Sequence, residues 1–80
     1  MKPILVKWQD AVSHDEWEEM EEAKNLDPHT IITLGFLVDE NDDRLIVGLN
    51  WDEERDAVAQ TISIPKAWIL SRRFIKVKLS

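Results

Sequence analysis

The stretch TIITLGFLVDENDDRLIVGLNW, residues 30–51, decides the fold. Its first nine residues are β-branched and too apolar for a strand with one wet face, so both faces of that strand are expected to be covered. Asp39 to Asp43 is a polar hairpin turn, and residues 44–51 return with Leu45, Val47, Leu49 and Trp51 on one face. Gly35 and Gly48 lie inside these strands, where glycine is costly unless the sheet bends or another backbone comes close. Two such positions predict a rolled sheet.

Outward from this hairpin the pattern continues. Ile4, Val6 and Trp8 alternate with Leu5, Lys7 and Gln9, which predicts a strand over residues 3–9. Val58, Ile62 and Ile64 mark a strand ended by Pro65, and residues 72–79 form the last one, with Ile75, Val77 and Leu79 inward and Lys76 and Lys78 outward. Residues 65–69, too few for a helix, suit one 3₁₀ turn. Between the first two strands the period changes. Ser13 and Glu16 have capping-box spacing, flanked by Val12 and Trp17 at the staple positions. An amphipathic helix is therefore expected from His14 to about Asn25, with Trp17 inward, acids outward and Asn25 as a left-handed cap. The expected class is α+β: one N-terminal amphipathic helix with a curved antiparallel sheet, an Sm-like or SH3-like small barrel. A helix packed on an open sheet is the alternative.

Eighty residues hold one domain, residues 1–80, since two halves would each bury too little apolar surface to offset their chain entropy. Without cysteine there are no disulfides, and two histidines do not fill a zinc shell, so self-association is the remaining source of extra stability. A homo-oligomer, dimer or tetramer, is expected. Met1 and Lys2 run straight into Pro3 with no apolar leader, and no stretch approaches the roughly 20 apolar residues of a membrane span, so a cytoplasmic, unanchored protein is expected.

The net charge of −6 is unevenly spread: residues 1–65 hold all 16 acids against five bases, whereas residues 66–80 hold Lys66, Arg72, Arg73, Lys76 and Lys78 and no acid. An acidic chain repels duplex nucleic acid, yet a local basic strip can hold a small anion. No enzyme is expected. The serines lack a histidine and acid in any nucleophile signature, and the acid-rich helix is a solvated face. His14 and His29 read as exposed imidazoles beside caps. Asp39 to Asp43 lacks the alternating ligands, central glycine and distal glutamate of a calcium loop, and no phosphate-cradling glycine loop exists. Neither a metal nor a cofactor is expected.

Four tryptophans are many for this length. Trp8 and Trp17 are expected in the core. Trp51 closes a strand beside a charged turn, and Trp68 precedes Arg72 and Arg73 and follows Lys66, the setting in which an indole stacks on a base while cations hold its phosphate. The opposing reading is that Trp68 plugs the barrel end and the bases neutralise the acidic helix.

Lys7-Trp8-Gln9-Asp10-Ala11, Thr33-Leu34-Gly35-Phe36-Leu37 and Ile64-Pro65-Lys66-Ala67-Trp68-Ile69 occur in that order. Together they resemble a recurrent type of short bacteriophage protein, with a W-x-D-A start, a capped helix, a G-[WF]-L strand and an I-P-[KR] turn, and through it the phage anti-CBASS sponge proteins. The resemblance implies a multimer that sequesters a cyclic dinucleotide such as cyclic GMP-AMP in the host bacterial cytoplasm without catalysis. On that reading Trp68 or Trp51 stacks on a base, Lys66, Arg72 and Arg73 bind phosphate, and Ser13 or Asn50 reads base edges. The rival is an inhibitor whose acidic helix imitates DNA and occupies a host protein; an Sm-like RNA binder comes third because of the net negative charge.

Overall fold

The computed structural model describes residues 1–78. Five strands form one antiparallel sheet: β1 (Pro3–Asp10), β2 (His29–Glu40), β3 (Arg44–Asp52), β4 (Ala57–Pro65) and β5 (Ile69–Phe74), in the spatial order β4-β3-β2-β1-β5. One helical turn, α1 (Met20–Ala23), lies between β1 and β2, and a 3₁₀ turn, Lys66–Trp68, joins β4 to β5.

The long β2 serves two partners in succession. Residues 29–36 pair with β1, and pairing with β3 begins only at Phe36↔Gly48. The sheet folds over at this changeover, which brings Ile4, Val6 and Trp8 of β1 into one buried cluster with Leu45, Val47 and Ile64 from β3 and β4. Gly35 stands at the fold: a Cβ there would lie 2.6 Å from the Gly48 carbonyl oxygen and 2.6 Å from a Val47 methyl. Close backbone approach, predicted from the glycine, is therefore observed. The Trp8 indole is buried as expected and donates to Thr33 Oγ1 at 3.0 Å, which satisfies its one polar atom.

The hairpin turn is fastened by Asn41, whose side-chain oxygen accepts from the amides of Asp43 (2.8 Å) and Arg44 (2.9 Å). Across the β3–β4 turn Asp52 does the same for Glu54 and Arg55, and Asp56 takes a left-handed conformation with φ of 50°. The Lys66 amide donates to the Asp43 carbonyl (2.9 Å), which holds the start of the 3₁₀ turn against the hairpin.

Several expectations need correction, among them the covering of both faces of residues 30–38, since Ile32 and Leu34 are exposed. The helix from His14 to Asn25 is reduced to the single turn Met20–Ala23, with residues 11–19 outside any helix. Short helices are marginal unless an apolar face packs against the body. Here Trp17 is 103% exposed and Met20 72%, so no packed apolar face offsets the repulsion among Asp15, Glu16, Glu18 and Glu19. Ser13 does not cap; Glu19 occupies the N-cap position with no side-chain bond, and Asn25 has no left-handed backbone, its side-chain Nδ2 donating to the Glu21 carbonyl instead (3.2 Å). Secondly, the small barrel is found as an open sheet, since among the described residues no ladder joins β4 to β5. Thirdly, β5 covers Ile69–Phe74, not residues 72–79. Its ladder with β1 runs out at Ile4↔Phe74, where Pro3 has no amide hydrogen and contributes only its carbonyl, to Ile75 N. Ile75 is partly buried and Val77 is 52% exposed; the inward assignment of Leu79 lies outside the described residues. Leu49, assigned inward, is 47% exposed because β2 leaves β3 one residue earlier.

Candidate functional site

The residues singled out from the sequence do not form one site. Lys66 and Arg72 converge, but on a carboxylate of the same chain: Lys66 Nζ lies 3.1 Å from Glu40 Oε2, and the Arg72 guanidinium grips both oxygens, its Nη2 donating to Oε1 at 3.0 Å. These two cations, the Arg72 hydrogen bond foremost, hold the Glu40 carboxyl down at a pKa of about 2, and the Glu40 carboxylate in turn raises that of Arg72. A hollow of about 220 Å³ lies between Lys66, Ile69 and Arg72, and Trp68 is not in its wall. The Trp68 indole is 43% exposed. The other side of Arg72 rests 5.7 Å from the centre of the Phe74 ring, over which Lys2 also sits, at 5.2 Å.

Arg73 faces the opposite way. Strand alternation turns successive side chains to opposite faces, and the register sets Leu5 opposite Arg73 and Lys7 opposite Ser71. Lys7, Ser71 and Arg73 surround a small groove of about 150 Å³ floored by Leu5 and Ile32, with Arg72, between Ser71 and Arg73 in the strand, also in its wall. Among the described residues neither Lys7 nor Arg73 has an acid within ion-pair distance. The same face carries Gln9 on β1 and Thr30, Leu34 and Phe36 on the first half of β2, by register. This part of the sheet thus holds two cations and no acid, in a chain of net charge −6.

Trp51 and Asn50 sit at the far end of β3, beside a groove of about 310 Å³ shared with Arg55 and Val58. Asn50 Nδ2 donates to Gln60 Oε1 (2.6 Å), and Gln60 takes a left-handed φ of 57°. The Trp51 indole donates to Asp56 Oδ1 (3.1 Å) and meets the Phe36 ring edge-on, with centroids 5.7 Å apart. Both polar groups are thus engaged within the chain. Ser13 lies in the exposed arm between β1 and α1, with no bond tying it to either group.

Lys7 was not among the residues marked by the sequence. Its outward position was legible from the alternation of residues 3–9, but its companions Ser71 and Arg73 become neighbours only through the β1–β5 ladder.

Comparison with protein-family models, with curated proteins and with solved structures finds no match. Among the described residues no helix is long and apolar enough to cross a membrane.

Proposed function

We propose that this chain is a non-catalytic binding protein that sequesters a small anionic ligand of the cyclic dinucleotide class, as a bacteriophage would use in the host cytoplasm to silence an immune signal. The observation that carries the reading is the acid-free face on which Lys7, Ser71 and Arg73 ring an aliphatic floor of Leu5 and Ile32. Two cations and a hydroxyl suit phosphate oxygens, and flat aliphatic surface suits the face of a base. Lys66 and Arg72 are secondary on this reading, because a ligand would have to displace Glu40 to reach them. Sequestration needs affinity and abundance alone, so the absence of a recognisable nucleophile is no obstacle.

The test is a thermal-shift panel of cyclic di- and trinucleotides including cyclic GMP-AMP. A ligand at about 100 times its Kd adds about 2.7 kcal/mol, which raises Tm by roughly 10–20 °C in a domain this small. A panel in which no nucleotide moves Tm rejects the reading.

One observation favours a second reading, a protein-binding inhibitor. Trp17 is fully exposed between Asp15, Glu16, Glu18 and Glu19, and a solvent-facing indole among acids is suited to anchor on a basic protein groove. That complex would be salt-sensitive and lost with Trp17→Ala, and it would not respond to nucleotides.

A further inference from the structure

β2 and β3 part company beyond Phe36 and Gly48, so residues 29–35 of β2 pair only with β1 and Asn50 to Asp52 of β3 pair only with β4. Between the splayed strands runs an open groove of about 530 Å³, lined by Ile32, Leu34, Leu49, Gln60, Thr61 and Ile62, with Thr33 at its base. Ile32, Leu34 and Leu49 are 66, 58 and 47% exposed. No lining residue is charged, although 32% of the chain is.

We infer that this groove is the contact between two copies of the chain. The first argument is area. The chain exposes 6562 Å², against about 5,000 Å² for a folded monomer of its mass, an excess of roughly 1,500 Å² when a standard interface takes about 800 Å² from each partner. Its radius of gyration of 16.2 Å likewise exceeds the roughly 12 Å of a compact 80-residue domain. The exposed arm around Trp17 contributes to that excess, and so do Ile32, Leu34 and Leu49 of the splayed strands. The second argument is charge. Two copies, each of net charge −6, repel wherever acids meet, and the groove offers neutral walls to both. An unrelated partner of an acidic chain would instead be met by complementary charge. A twofold axis sets the same apolar row against itself, and the unpaired β2 edge gives each copy free backbone groups to share. The contact shares Ile32 with the floor of the Lys7–Arg73 groove and so borders it, and the test is run without ligand so that its outcome does not turn on nucleotide binding.

Sedimentation and light scattering of the full chain without ligand, from about 1 to 500 μM, test it. The expected mass is a multiple of 9.4 kDa. Leu34→Glu places a charge in the contact and raises the dissociation constant about 100-fold. Ile32→Thr keeps the strand preference, guards against a folding artefact, and raises it about tenfold. Met20→Lys, on the exposed helical turn, leaves the mass unchanged. A mass of 9.4 kDa at every concentration, or an assembly indifferent to both groove substitutions, overturns the inference.

Discussion

Arg72 and Arg73, adjacent in the chain, stand on opposite faces of the sheet: Arg72 closes on Glu40, and Arg73 stands beside Leu5 and Ser71 with no acid against it among the described residues. One residue of strand alternation separates a cation that serves the fold from a cation available to a ligand. Substitutions of the two should therefore differ in kind.

Arg73→Ala is expected to lower cyclic-dinucleotide affinity about 10-fold or more, the scale of one charge-assisted contact, and to leave Tm unchanged. Arg72→Ala should lower Tm, because it removes both hydrogen bonds to Glu40, with a smaller effect on affinity. Calorimetric titration and thermal melts on the same preparations separate the two, and equal losses of affinity would contradict the placement of the site.

The Glu40 cluster also sets a pH dependence. Its folded pKa is depressed from 4.5 to about 2, so its contribution is fully present above pH 4.5 and disappears as pH falls through 2. In melts between pH 7 and pH 2, wild type should lose its advantage over Glu40→Gln across that window. The Arg55 hydrogen bonds that lower the Asp52 pKa remain in both proteins and cancel in the comparison. A constant difference down to pH 2 would mean that the ion pairs contribute nothing.

Gly35→Ala should destabilise the domain by about 2–3 kcal/mol in urea titrations, the upper part of the range for overpacked sites, because the new methyl meets a backbone carbonyl at 2.6 Å. At Gly48 the nearest atoms are side-chain and 3.3 Å away, so Gly48→Ala should be milder. A reversed order would show that β2 and β3 do not cross closely at Gly35.

Leu45→Ala or Ile64→Ala, each in a fully buried position, should cost about 2–5 kcal/mol. Trp17→Ala should change stability by less than about 0.5 kcal/mol, as for other exposed sites. Ser13→Ala should leave far-ultraviolet dichroism unaltered, since no helix begins there. Loss of helical signal on Ser13→Ala would restore the longer helix.

The first four strands were legible because alternation reports burial, as Ile4, Val6 and Trp8 illustrate, whereas the last, expected over 72–79, runs over Ile69–Phe74, and Ile32 and Leu34 of β2, expected to be covered, are exposed; the 3₁₀ turn was legible from Pro65 and the shortness of the gap. The helix was misread for the opposite reason. The Ser13 and Glu16 spacing is a local preference, and local preference yields when no apolar surface receives Trp17. The site was half legible: composition singled out the basic tail, but composition has no access to faces, so Lys66 and Arg72 were grouped with Arg73.

What the sequence by itself determined is which segments extend and where the sheet must bend, since both follow from side-chain shape within a few residues. Only tertiary structure decided which cations are spent on Glu40, which indole is buried and which apolar row is left open. Those outcomes depend on register between strands tens of residues apart, and register is set by the packing of the whole core.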